Sequence, residues 1–216
     1  MSRCGWPRWA TTVVLADRSR EMLEHAQTAN DDADRGRWLS VVHAPIQRLG
    51  SLLDQQFDVI VCHAVLEWLA DPQGAVDERV SLLELDGELS LLFYNRNARL
   101  LKLILSGAFE DALRECDSEP SPRGSQRGAI PLAEETVRAW LAELGLGVRS
   151  KAAIRIFHDH LTGDARSPER LGELLSVETA LRAKEPFASL GFASRGQHIH
   201  LVCVAAPDTA RGRRAG

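Results

Sequence analysis

Strand-sized apolar runs alternate with helix-patterned stretches along the first part of this chain. Val13 to Ala16 is the first run, and it closes on Asp17. From Arg20 to Asn30, Met22, Leu23 and Ala26 fall on one helical face, and Ser19 stands where an N-cap is wanted. Leu39 to His43 is a second run, followed by a turn at Pro45 and a short helix marked by Leu49, Leu52 and Leu53. Phe57 to His63 (FDVIVCH) carries the plainest signal. Val59 to Cys62 shows no polar alternation, which predicts a parallel-sheet strand buried on both faces. Ala64 to Leu69 predicts a short helical turn stopped by Asp71-Pro72, Ala75 to Leu85 a helix, Asp86-Gly87 a turn, and Leu89 to Tyr94 another buried strand.

Past Asn95 the alternation breaks. Ala98 to Ala112 predicts one basic, apolar-rich helix and Ser118 to Gly128 a polar loop. Leu132 to Leu144 predicts a helix with a Glu-rich first turn, ended by Gly145. Ala152 to Phe157 predicts a strand, Pro168 to Ala183 a helix, and His198 to Ala205 a final strand. The basic stretch Arg211 to Gly216 predicts a disordered tail. Strands alternating with helices predict an α/β, doubly wound, mostly parallel sheet. Right-handed crossovers gather the strands' C-terminal ends on one edge, where ligands bind in such sheets. Asp17, His63 and Tyr94-Asn95 fall on that edge.

Composition narrows the classes. The 216 residues are 44% hydrophobic and 26% charged, as in ordinary globular proteins, which excludes collagenous, coiled-coil and wholly disordered chains. A net charge of -4 argues against a dedicated nucleic-acid coat protein but leaves room for a local basic patch. No apolar run approaches the roughly 18 residues of a membrane span, and the N-terminus lacks a signal-peptide core, so a cytoplasmic protein is expected. Cys4, Cys62, Cys116 and Cys203 form no CxxC spacing and read as free thiols. His158/His160 and His198/His200 share strand faces pairwise, but no carboxylate or Cys cluster accompanies them, so no metal is expected. Trp6, Trp9, Trp38, Trp68 and Trp140 read mainly as packing residues.

Four stretches together carry a family resemblance. They are Cys62 to Pro72 (CHAVLEWLADP), Leu91 to Asn95 (LLFYN), Ile154 to Leu161 (IRIFHDHL), and Glu185-Pro186-Phe187 leading to His198-Ile199-His200. The chain resembles a class I S-adenosylmethionine-dependent methyltransferase, and within that class the tRNA 5-carboxymethoxyuridine methyltransferase family. The resemblance covers roughly Val13 to Ala205. It implies a Rossmann-like sheet with an antiparallel last strand, S-adenosylmethionine as cofactor, and methylation of the carboxylate of a modified wobble uridine in the tRNA anticodon loop. It divides the chain into a non-family N-terminus (1–12), a methyltransferase domain (13–206) with a helical and loop insertion (98–128), and the tail (207–216).

One part of the family's pattern is missing. The fold opens with a strand, a Gly-rich turn and a helix, and such a βαβ unit needs about 30 residues. Only twelve residues precede Val13, with Gly5 their single glycine. The first βα unit is therefore expected to be absent, through a start assigned too late or a frameshift. A central strand of about five apolar side chains is worth on the order of 10 kcal/mol, comparable to a domain's whole net stability. Upstream DNA with no frame encoding a strand and Gly-rich turn would exclude the late start.

The resemblance also assigns residues. Asp17 takes the ribose hydroxyls of S-adenosylmethionine, Ile46 and Gln47 contact the adenine, and His63 lies at the cofactor site. Tyr94, with Asn95, faces the transferred methyl. Arg155, His158 and His200 grip the anionic substrate, an Arg fork suiting carboxylate geometry. Each has a plainer competitor: a solvated Asp17 or Gln47, a polar strand end at His63, a core aromatic at Tyr94, a surface strand residue at Arg155. Arg96, Arg99, Lys102, Arg123, Arg127 and the tail arginines read either as an RNA-binding patch or as a solvated charged face. The competing functions are a small-molecule methyltransferase and a non-catalytic truncated remnant.

Overall fold

The computed structural model describes residues 12–32, 39–117, 128–161, 167–182 and 196–206. Arg123, Arg127, Trp6, Trp9, Trp38, the Glu185-Pro186-Phe187 stretch, the tail and nearly all of the predicted 118–128 loop lie outside the described residues. The described chain divides into two compact units between Gln55 and Gln56.

In the first unit, β1 (Val13–Asp17) pairs in parallel with β2 (Leu39–His43), with α1 (Arg20–Asp32) between them in the chain. Ser19 caps α1 as predicted, its Oγ accepting from the Met22 amide at 3.3 Å. Leu23 is buried beneath the helix. Ile46–Ser51 forms a 3-10 turn that buries Leu49.

In the second unit the strands run β3 (Phe57–His63), β4 (Leu83–Tyr94), β6 (His198–Ala205), β5 (Leu146–Ile154) across one sheet. β3 and β4 are parallel, and β6 is antiparallel to both neighbours, so the antiparallel last strand is found. Direct cross-strand neighbours share a face. Cys62, Leu91 and Leu201 form one row, Leu89 and Cys203 another, Phe93 and Ile199 a third, all on one face and all buried. α2 (Pro72–Ser81) and α5 (Glu134–Glu143) cover that face with Val76, Val80, Val137 and Leu141.

The opposite face corrects the prediction of two-sided burial. Val59 and Val61 are 45% and 44% exposed, and Ser90 and Leu92 are half-buried. β3 is the edge strand of this sheet among the described residues. An apolar run reports that a strand tolerates burial, not that a partner arrives to bury it.

Several local expectations also change. Pro72 does not stop a helix; it opens α2 at the first helical position, where its missing N–H costs nothing, and Asp71 caps it by accepting from the Gly74 amide at 2.9 Å. Asp86-Gly87 is no turn but lies within β4, where pairing with β3 shifts register. A Cβ at Gly87 would come within 3.0 Å of the Phe57 carbonyl, so the glycine serves close strand approach. The single predicted helix over 98–112 is two, α3 (Arg96–Leu105) and α4 (Phe109–Asp117), broken at Gly107 with φ +77°. β5 starts and ends earlier than predicted. Arg155 follows it at φ +59°, which takes the chain out of the strand. The predicted C-terminal helix is a 3-10 turn (Pro168–Arg170) running into α6 (Leu171–Arg182).

Candidate active site

The first unit carries the residues assigned to the adenosine end of the cofactor. Asp17 closes β1, and its Oδ1 accepts from the Ser19 amide at 2.7 Å, which fixes the carboxylate. Its other oxygen has no hydrogen-bond partner among the described residues. The Asp17 carbonyl accepts from the Ala44 amide at 3.1 Å and ties the ends of β1 and β2 together. Ile46 and Gln47 begin the 3-10 turn just beyond β2, Ile46 half-buried and Gln47 exposed. A half-buried carboxylate with a spare acceptor, beside an apolar residue and an amide, suits a ribose diol and a purine. The fit extends to that half of the cofactor only. No strand and Gly-rich turn of the kind that approaches the methionine half is found among the described residues.

The second unit holds a cleft of about 290 Å³ at the C-terminal end of β4. Tyr94, Arg99, Lys102, Arg155, His160 and Gln197 line it, with Asn95 at its base. Asn95 is buried and organises this end of the sheet. Its Nδ2 donates to the Gly196 carbonyl at 2.9 Å, its amide to the Gln197 carbonyl at 2.9 Å, and its Oδ1 accepts from the Asn97 amide to cap α3. A Cβ at Gly196 would sit 2.8 Å from the Ile154 amide nitrogen, so only glycine lets this segment lie against β5. Arg155 is held beyond β5 in a conformation that costs a non-glycine residue about 1–2 kcal/mol. The Gln197 amide donates to its carbonyl, and its Nη2 lies 3.0 Å from His158 Nδ1. Glu178 on α6, fully buried, accepts from the Phe157 amide at 3.0 Å and braces the same turn.

Three cations, Arg99, Lys102 and Arg155, stand in the lining. Arg99 pairs with Glu115 at 2.9 Å and is partly offset. Lys102 has no ion-pair partner among the described residues. Tyr94 meets His198 in a tilted ring contact, centroids 4.5 Å apart at 59°. Behind this end of the sheet, the Glu67 carboxyl is 1% exposed, and burial holds its pKa above the usual carboxylate range. The Glu67 carbonyl accepts from the Ile130 amide at 2.7 Å and anchors the cleft wall at Ala129 and Pro131.

The assigned residues thus separate. Tyr94 and Arg155 line the cleft, and His158 touches Arg155. His200 does not line it. It lies instead on the open face, sharing the Ser90 hydroxyl with His63. Gln197, Glu178 and Ser90 carry no sequence expectation, and His160, weighed there only as a metal ligand, lines the cleft. The sequence signal for them was weak, since their roles depend on which strands become neighbours.

A methyltransferase-domain family pattern matches residues 3–91. The tRNA 5-carboxymethoxyuridine methyltransferase of Escherichia coli K12 is 30% identical over 190 residues, covering 88% of this chain and 70% of the relative. The chain belongs to the class I S-adenosylmethionine-dependent methyltransferases, beside the tRNA 5-carboxymethoxyuridine methyltransferases. A ubiquinone biosynthesis O-methyltransferase of Psychrobacter cryohalolentis is 32% identical over 110 residues, 51% of this chain and 42% of that one. The fold is shared with magnesium protoporphyrin IX methyltransferase from Synechocystis, solved with bound SAH, at TM-score 0.51 and 15% identity. That likeness covers 90% of this chain and 64% of the other, so this methyltransferase spans just under two thirds of that structure's length.

Proposed function

We propose that this methyltransferase transfers a methyl group to the carboxylate of 5-carboxymethoxyuridine at the wobble position of tRNA. The observation that carries the reading is the cationic cleft at the end of β4, where Arg155, Arg99 and Lys102 meet Tyr94. S-adenosylmethionine would supply an electrophilic methyl on a sulfonium, a carboxylate oxygen bonding to that methyl as its bond to sulfur breaks and the neutral thioether leaves. A carboxylate is ionised at neutral pH, so the chain need provide no general base. Its task is to orient two charged partners, an effect worth several kcal/mol. Asp17, Ile46 and Gln47 would hold the adenosine end, and His63 is proposed as a cofactor-site residue. The Arg155 guanidinium, braced by His158, grips the substrate carboxylate, Tyr94 offers a ring face to the base, and Arg99 and Lys102 meet backbone phosphate.

The test is methyl transfer to tRNA carrying 5-carboxymethoxyuridine, read as an alkali-labile methyl ester. Arg155→Ala is expected to cost about 100-fold in kcat/KM, and Arg155→Lys about tenfold because it keeps the charge and loses the fork. An Arg155→Ala variant as active as the parent would remove Arg155 from the site. The ubiquinone O-methyltransferase relative favours a second reading, a small-molecule acceptor. Salt separates them: transfer to tRNA weakens steeply between 50 and 200 mM salt, and transfer to a neutral small molecule does not. Calorimetry showing no S-adenosylmethionine binding would favour the non-catalytic remnant, a reading supported by the exposure of Val59 and Val61 on β3.

A further inference from the structure

Three residues from three strands meet on the open face of the sheet in the second unit. Ser90 Oγ, on β4, lies 2.8 Å from His63 Nε2 on β3 and 2.8 Å from His200 Nε2 on β6. The two imidazoles stand edge to face with ring centroids 5.3 Å apart. Both histidines are cross-strand neighbours of Leu92, so each ring leans along its strand to reach the serine.

We propose that Ser90 is a positioning residue whose hydroxyl ties His63 to His200 and fixes the two rings in opposite tautomers. A serine hydroxyl has one hydrogen and can donate to only one ring nitrogen. The oxygen could accept from both rings, but among the described residues nothing else takes the Ser90 hydrogen, so it goes to one ring and the other ring donates its own Nε2–H. One histidine therefore carries its proton on Nε2 and the other on Nδ1, and the chain of hydrogen bonds has a direction. The surroundings favour the neutral pair. Val61, Val202, Leu92 and Ala152 are the ladder neighbours, and none is charged. Partial loss of solvent around each ring, and for His63 the neighbouring His200, holds both below the ordinary histidine pKa.

Neutrality matters for the proposed reaction. In the function proposed above His63 stands at the cofactor site, where an imidazolium would repel the cofactor's sulfonium. A locked neutral pair supplies dipoles without that cost. This consequence rests on the function proposed above, whereas the tautomer assignment does not.

Long-range proton–nitrogen NMR spectra of the full chain with labelled histidine, near pH 8, read the tautomers directly, and His63→Gln and His200→Gln assign the signals. One ring is expected as Nε2–H and the other as Nδ1–H. Ser90→Ala should return both to the Nε2–H form, and Ser90→Thr should restore the opposed pair. Two rings in the same tautomer in the parent protein, or an opposed pair that survives Ser90→Ala, overturns the proposal. If Ser90→Ala does not fold, the parent and Ser90→Thr spectra decide alone. With tRNA substrate, Ser90→Ala should lower kcat about tenfold with KM within twofold, and Ser90→Thr should recover it; an unchanged kcat removes the positioning role. A parent protein that methylates no tRNA but shows opposed tautomers refutes the function reading and leaves the Ser90 assignment standing.

Discussion

The two faces of the β3–β4–β6–β5 sheet are built from the same strands and do opposite things. On one, Leu89, Leu91, Phe93, Ile199 and Leu201 are wholly buried under α2 and α5. On the other, Val59 and Val61 stand open to solvent, and Ser90 with the two histidines forms a polar chain. The alternation of side chains along β4 distributes residues between them, one to each face in turn. Stability is concentrated on the sealed face, where each large apolar side chain contributes about 1.5–3 kcal/mol by leaving water. Candidate chemistry is concentrated on the open face and at its C-terminal end, where polar groups can meet a ligand.

The comparison breaks if the faces respond alike to substitution. Phe93→Ala on the sealed face is expected to cost about 3–5 kcal/mol, measured by denaturant unfolding. A smaller but pH-dependent loss is expected at Glu134, which anchors α5 to β5 through Lys151 at 2.6 Å and its own helix through Arg138 at 2.7 Å. Burial alone would raise its pKa, but the hydrogen bonds from Lys151 and Arg138 hold it below the usual range. A depressed carboxylate pKa gives stability that is present above the unfolded value, about 4.3, and is lost as pH falls through the folded value. Glu134→Gln should therefore cost about 1–2 kcal/mol at pH 7, and its difference from the parent should shrink as pH falls below the unfolded value and close once pH is below the depressed folded one. Val61→Ser on the open face should change stability by no more than about 0.5 kcal/mol. A cost near that of Phe93→Ala would mean that the open face is covered in solution.

The sites were legible to different depths. Asp17, His63 and Tyr94 could be placed at strand ends because a run of apolar residues followed by a polar one marks where a strand leaves its sheet. Arg155 and His158 were named as partners in gripping an anion, and the structure brings them within 3.0 Å. His200 was grouped with them, yet it lies across Leu92 from His63, because antiparallel β6 enters beside β4 in a register that no local pattern states. Ser90 was invisible for the same reason. A lone serine inside LSLLFY gains a role only when histidines arrive on both sides.

The sequence by itself determined that strands form near Val13, Leu39, Phe57, Leu89 and His198, the parallel and antiparallel character carried by the family likeness, and the cations near the end of β4. These follow from short-range patterns and from motifs that a single chain displays. Tertiary structure alone decided which face is sealed, that Pro72 opens α2, that Asp86-Gly87 stays within β4, and that His63 and His200 share one hydroxyl. Each of these depends on what packs alongside a segment, and side-chain alternation fixes two faces without saying which one the helices will cover.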